Sequence, residues 1–231
     1  MTKFENKADA RLLVAASFVR QDAVVADVGS DHAYLPIYLV QNCIALRAVA
    51  SDINEGPIEN ARANVNEAGL SDKIETVLVD GLAGIEKYAP TDILICGMGG
   101  ELIAKIINEA PFTRDKRIRL ILQPMTKQEK LRAYLIKAGY EIVSEKLCFE
   151  GGKIYQCMCA EYDGVPRTYS EAELLLGRHN IEEKSELFFK LVSQKTAALE
   201  KSIAGKKEAG IDAAKEKRLF AELVSMKGQD V

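Results

Sequence analysis

Five short strings hold the residues whose types and spacing could do chemistry. The first, Asp27-Val28-Gly29-Ser30-Asp31-His32-Ala33-Tyr34, closes an apolar run at 23–28, and carboxyl ends of such runs are where open α/β sheets bind ligands. Gly29 lets backbone come close to a ligand. The spacing is not the dinucleotide fingerprint G-x-G-x-x-G, because Asp31 holds its second glycine position and Tyr34 its third. A carboxylate there repels a pyrophosphate and suits a cation instead. S-adenosylmethionine, with a sulfonium and an ammonium group, is a ligand of that kind. Asp52 closes the second run, about 20 residues past the glycine turn, where an acid commonly accepts hydrogen bonds from ribose hydroxyls. Asp80-Gly81 closes the third, where an acid can hold the exocyclic amine of adenine. An aspartate at a strand end is also a common helix cap, so each is weak by itself. Asp27, Asp52 and Asp80 at three successive strand ends make a pattern.

The fourth run ends in Gly97-Met98-Gly99-Gly100, where methyltransferases acting on base amines often carry an N-P-P-Y loop. Here glycines would let backbone approach cofactor or substrate, and a tight turn alone explains one or two of the three. The fifth run ends in Gln123-Pro124-Met125, whose amide could read or position a base edge, although turn chemistry also accounts for Pro124.

These strings need a scaffold that brings strand ends together. AVVADV (23–28), RAVASD (47–52), IETVLVD (74–80), DILICG (92–97) and RLILQ (119–123) are β-branched or apolar runs, each followed by a turn signal and a helical segment. Alternating strands and helices imply right-handed crossovers and a parallel sheet with both faces covered. A helix is expected over Glu5–Arg20, with Arg11 and Arg20 facing solvent, and another over 126–139. YEIVSEKLCFE and KIYQCMCAEY flank Gly151-Gly152 as a hairpin. Parallel strands closed by an antiparallel hairpin suit methyl transfer better than hydride transfer. The strand pattern stops around Gly164, Pro166 and Ser170, which sets domains at 1–164 and 165–231. Beyond the boundary the chain reads as helical, with a break over Gly205–Gly210 and a second helix over Ile211–Met226.

Composition narrows the class. With 231 residues, 48% of them hydrophobic, the chain can bury an α/β core and a small second domain. No apolar run approaches the ~20 residues of a membrane helix. The five cysteines, expected on helix or buried strand, are odd in number, which suits a reducing compartment and a cytoplasmic location. Cys157 and Cys159 lack the spacing of a zinc knuckle, so no metal is expected. A net charge of −3 opposes indiscriminate nucleic-acid binding, yet residues 189–218 hold eight Lys or Arg against four acids.

The strings DVGSDHAYLP (27–36), SDIN (51–54), DGL (80–82), GMGG (97–100) and LQPM (122–125) resemble the bacterial tRNA (adenine-22-N1)-methyltransferase family over essentially the whole chain. The resemblance implies a Rossmann-like class I methyltransferase domain, a C-terminal α-helical coiled-coil domain, S-adenosylmethionine as cofactor and tRNA as partner. On the same strings the cofactor contacts extend to Ser30, Asp31, His32, Ile53, Gly97, Met98 and Gly99, while the candidate substrate contacts are Arg11, Gly100, Gln123 and Pro124. Met125 stands where many members carry Asn. In the catalytic reading Asp31 serves the charge that develops on a methylated adenine, Tyr34 stacks on the base, and His32 is a third candidate. Against this, Asp31 could cap the next helix, Tyr34 could be core and His32 merely packed; His179 looks structural. Phosphate contacts would come from Arg11, the Arg114, Lys116 and Arg117 cluster, and the C-terminal lysines. A monomer or weak homo-oligomer is expected. Two other readings fit the same motifs: a small-molecule methyltransferase, or a binding protein without turnover. An NAD oxidoreductase fits worst, because Asp31 opposes the pyrophosphate.

Overall fold

A computed structural model describes residues 9–227, which fall into two compact units divided between Thr168 and Tyr169. In the first unit, α1 (Ala10–Ala16) is followed by β1 (Ala23–Val28), α2 (Tyr34–Gln41), β2 (Ala45–Asp52), α3 (Glu55–Glu67), β3 (Ile74–Leu78) and β4 (Asp92–Cys96). Next come α4 (Gly100–Asn108), β5 (Arg119–Gln123), α5 (Gln128–Lys137), β6 (Tyr140–Glu150) and β7 (Lys153–Tyr162). One seven-stranded sheet results, in the order β3-β2-β1-β4-β5-β7-β6. The first five strands are mutually parallel, and β7 runs antiparallel to both neighbours. Ile93, Leu94 and Ile95 on β4 and Leu120, Ile121 and Leu122 on β5 are all wholly buried. Unbroken apolar runs of this kind need helices on both faces, which is why they sit at the sheet's centre.

Two expectations about ends shift. The helix expected over Glu5–Arg20 spans Ala10–Ala16 among the described residues, capped by the Asp9 carboxylate, which accepts from Leu12 N at 2.8 Å; residues 5–8 of that expectation lie outside them. Beyond it Arg20 is not a solvent-facing helical residue. Its Nε and Nη2 donate to the buried Asp92 carboxylate at 2.9 and 2.8 Å, fastening the chain to the amino end of β4. The third strand ends at Leu78 rather than Asp80. After Val79 N donates to Asp52 O, the chain turns, and Ala83 N donates back to Asp80 O. Cys43 is exposed in the turn after α2 with φ +53°, while Cys157 and Cys159 are buried on β7.

The β6–β7 hairpin is tied to α5 by a buried ion pair. Arg132 Nε meets Glu145 Oε1 at 2.7 Å with both side chains fully enclosed, and Arg132 Nη2 donates to Gln156 Oε1 at 2.7 Å.

The second unit holds α6 (Glu171–Leu176), α7 (Arg178–Glu183), α8 (Glu186–Glu208) and α9 (Ala214–Met226). A capping box of Ser170 and Glu173 starts α6. Phe188, Leu191 and Val192 of α8 and Leu223 of α9 are buried, and α9 packs on α8. The break expected from Gly205 comes later: α8 runs through Gly205, and Gly210, at φ +67°, makes the turn. Lys206 pairs with Glu216 across it.

Among the described residues no helix is long and apolar enough to cross a membrane, and no group of three or more His, Cys, Asp or Glu could hold a metal ion.

Candidate active site

Strand order reverses between β1 and β4, and a cavity of about 470 Å³ opens at their carboxyl ends. Asp27, Gly29, Asp31 and Asp52 line it from the first two strand ends, Gly97 and Met98 from the fourth, and Asp9 and Arg11 from α1. The loop after β1 is held by backbone: Gly29 N and Ser30 N both donate to Ser51 O, at 2.8 and 2.9 Å. That bend places Gly29 at φ +77°, a conformation that favours glycine. Ala33, at φ +54°, precedes α2 and no side chain caps that helix. Asp31 therefore does not act as the helix cap. It is exposed instead, with Oδ2 3.2 Å from His32 Nε2. The His32 ring lies over Tyr34, centroids 5.0 Å apart and planes 18° from parallel. Tyr34 is half-buried, packed against the core on one side and lining the cavity on the other. From α3, Asn64 Nδ2 donates to His32 O at 3.0 Å and fixes the loop from outside. Sequence reading passed over Asn64, since nothing in a helical Asn reveals its target.

The three acids at the cavity differ in environment. Burial pushes the Asp27 carboxyl up to about 6, and a hydrogen bond from Ser30 offsets part of that shift. Asp52 Oδ1 accepts from Asn54 N and Nδ2 at 2.8 and 3.1 Å, which fixes its carboxylate at the end of β2. Asp31 stands at the exposed side of the same space.

The loops after β4 and β5 are zipped together. Gly97 N donates to Gln123 O, Met125 N to Met98 O and Gly100 N to Thr126 O, at 3.0, 2.8 and 2.8 Å. Gly97 needs its φ of +82°, and a Cβ on Gly100 would sit 2.3 Å from Lys127 O. Two of the three glycines are thus explained by packing. The expectation that Gln123 reads a base edge is corrected here. Its side chain is wholly buried, Oε1 accepting from Arg11 Nη1 at 2.6 Å and from Gly97 N at 3.2 Å, while Nε2 faces Pro124 O at 3.2 Å. Arg11 is likewise not turned toward a phosphate: Nη2 meets Asp9 Oδ2 at 2.9 Å and only 17% of its side chain is exposed. Asp9 falls inside the helix expected from Glu5, so neither its role as cap nor its place in the cavity wall was legible before the tertiary structure.

Not every candidate converges. Asp80 and Gly81 line a separate depression of about 160 Å³ with Ile106 and Glu109. Ile53, Gly99, Gly100 and Pro124 stand outside the cavity lining, on the loops beside it. The Arg114, Lys116 and Arg117 cluster precedes β5 and so lies at the opposite edge of the sheet, where Arg117 pairs with Asp115. That position at the amino end of β5 removes it from this cavity.

The residues present fit S-adenosylmethionine. A space of about 470 Å³ is of the size that holds a small ligand, carboxylates outnumber cations in its wall, and Arg11 is already neutralised by Asp9. Gly29 and Gly97 both take left-handed backbone, and the space that a Cβ on Gly29 would fill is held by the Met98 methyl, 2.3 Å away. The sheet order and this cavity beyond the switch point define a Rossmann-like methyltransferase with a mixed seven-stranded sheet. The tRNA (adenine(22)-N(1))-methyltransferase family model matches residues 25–226. The chain is also 38% identical over 197 residues to the tRNA (adenine(22)-N(1))-methyltransferase of Bacillus subtilis, covering 82% of each. It belongs to this family. Among solved structures, Sp1610 of Streptococcus pneumoniae in complex with S-adenosyl-L-methionine superposes with a TM-score of 0.83 at 34% identity, over 93% of this chain and 98% of that one. The TrmK of M. capricolum in complex with S-adenosyl-homocysteine superposes at 0.79 with 25% identity, over 94% and 96%.

Proposed function

We propose that this protein transfers a methyl group from S-adenosyl-L-methionine to N1 of adenine 22 in tRNA. The observation that carries this reading is the gathering of Asp27, Asp31 and Asp52 around one cavity at the switch point, in a chain of this family. S-adenosyl-L-methionine supplies a methyl group on a sulfonium, whose departure as a neutral thioether drives an in-line displacement. The protein's part is alignment and charge. Asp52, fixed by Asn54, is suited to ribose hydroxyls, with Ile53 beside it. Asp27, once ionised, offers a buried negative charge to a cationic ligand. Ser30, Gly97, Met98 and Gly99 present the loops around it, and Asp80 with Gly81, in the neighbouring depression at the same sheet edge, is the candidate for an adenine amine.

Neutral adenine already carries a lone pair at N1, so no general base is required for attack. In a stacked tRNA that edge is occupied, and the base must leave its stack to reach the cavity. The stacked His32 and Tyr34 rings offer it an aromatic surface. Methylation leaves a cationic ring with a more acidic N6 proton, and the exposed Asp31 carboxylate is suited to stabilise that charge or accept that proton.

Residues 1–164 form the methyltransferase domain in this reading. Residues 165–231, as a helical coiled coil with locally basic composition, hold the tRNA body. Five free thiols support a reducing, cytoplasmic location, and the protein acts as a monomer or weak homo-oligomer.

The test is incubation with labelled S-adenosyl-L-methionine and unmodified tRNAs carrying adenine or guanine at position 22, followed by nucleoside analysis. Label is expected as 1-methyladenosine on the adenine-22 tRNAs alone, and Asp31→Asn is expected to lower kcat by about 10²-fold. Cofactor binding without label on any tRNA would refute the assignment.

A further inference from the structure

The first unit leaves several large apolar side chains in water, and most of them follow one edge. Ile53 and Leu78 stand at the ends of β2 and β3, Leu102 in the first turn of α4 after β4, Met125 after β5 and Phe149 near the end of β6. They are 59%, 48%, 49%, 39% and 55% exposed. Strand β6 runs with β1 to β5, because it is antiparallel to β7 and β7 is antiparallel to β5. Phe149 therefore lies on the same carboxyl edge as the cavity. Single exposed apolar residues are ordinary, whereas a row of them along the mouth of a site marks a surface that meets a partner.

Ile53 and Leu78 belong to the half of the sheet that carries Asp52 and Asp80, the acids that the methyltransferase reading gives to the cofactor. The other three lie beyond β4. We propose that Leu102, Met125 and Phe149 form an apolar platform on which the bases flanking the target adenine rest. This rests on the methyltransferase reading above and extends it to neighbouring nucleotides.

Charge selects the occupant. Asp9, Asp27, Asp31 and Asp52 line the adjoining cavity, and Arg11, the only Lys or Arg among the described residues lining it, is paired with Asp9. Phosphodiester groups are repelled from such a mouth, but the faces of bases are uncharged and stack on apolar and aromatic side chains. An RNA strand thus approaches with its bases inward and its backbone outward. From β4 to β6 is three strand steps, about 14 Å at the usual spacing between strands. That is the length of about four stacked bases.

The experiment is steady-state methylation of tRNA by the full chain at saturating S-adenosyl-L-methionine, comparing wild type with Leu102→Ser, Met125→Ser, Phe149→Ser and Phe149→Tyr. Loss of a stacked base at Phe149→Ser is expected to raise the KM for tRNA about 5- to 100-fold, with smaller rises for the other two serine variants. kcat, cofactor affinity and the salt dependence of tRNA binding should stay at wild-type values, since every phosphate-binding cation is kept. Phe149→Tyr should restore the wild-type KM. Serine variants with an unchanged tRNA KM, or with cofactor affinity falling in step, would overturn the platform. A wild type that methylates no tRNA would overturn the underlying reading and the platform with it.

Discussion

Burial raises the Asp27 carboxyl to about 6, so ionising it in the folded protein costs about 3 kcal/mol relative to an exposed aspartate. Its contribution to stability is full in acid, below the ordinary range, and is lost as pH rises through about 6. A cationic ligand reverses this balance, because it draws on the ionised form. Affinity for S-adenosyl-L-methionine should therefore fall by about tenfold between pH 7 and pH 5, and the fall should vanish in Asp27→Asn. Isothermal titration across that range checks it, and a flat wild-type profile would mean that Asp27 does not face the cation. Asp31 is exposed beside His32, and the proposed reaction uses it on the substrate side.

Among the elements, the loops after β4 and β5 act as one piece. Three backbone hydrogen bonds join them, buried Gln123 adds a fourth through its side chain by accepting from Gly97 N, and the same oxygen ties the pair to Arg11 of α1. Gly100 is where they press closest, since a Cβ would meet Lys127 O at 2.3 Å. The neighbour is backbone and cannot swing aside. Gly100→Ala should cost about 1–3 kcal/mol, read as a lower midpoint in urea unfolding, whereas Gly56→Ala, with nothing within 4 Å, should not lower it. The strings Gly97–Gly100 and Gln123–Met125 stood out in the sequence because their residue types are unusual at strand ends. Their mutual zipping did not, because it pairs residues about one helix apart in the chain through contacts that no local pattern encodes.

Across the whole molecule, the cavity-lining residues run from Asp9 to Met98, all within the first compact unit. A chain ending at Thr168 should bind S-adenosyl-L-methionine within about twofold of the full chain, because it keeps every described residue of the cavity lining. Its affinity for tRNA should fall, with a slope against log salt shallower by about 0.7–0.9 for each phosphate that the helical unit would have neutralised. An unchanged tRNA affinity and slope would remove the helical unit from substrate binding. In that unit Lys190, Lys206 and Lys215 are already paired with Glu186, Glu216 and Glu171. A count of lysines from composition therefore overstates the charge it can offer.

By itself the sequence determined the sheet. The boundaries of β5, β6 and β7 match their hydrophobic runs, because burial on both faces or on alternate positions writes itself directly into residue order. It also marked Asp27, Gly29, Asp31 and Asp52 as a binding edge, since strand ends in such sheets converge by topology. Only the tertiary structure decided what each side chain faces. It turned Gln123 and Arg11 inward to each other, brought Asp9 into the cavity wall, set Asp80 in a neighbouring depression and carried the Arg114–Arg117 cluster to the opposite edge. Residue type fixes what a group can bond to, but its partner depends on which distant segment packs beside it. That is settled when the core closes.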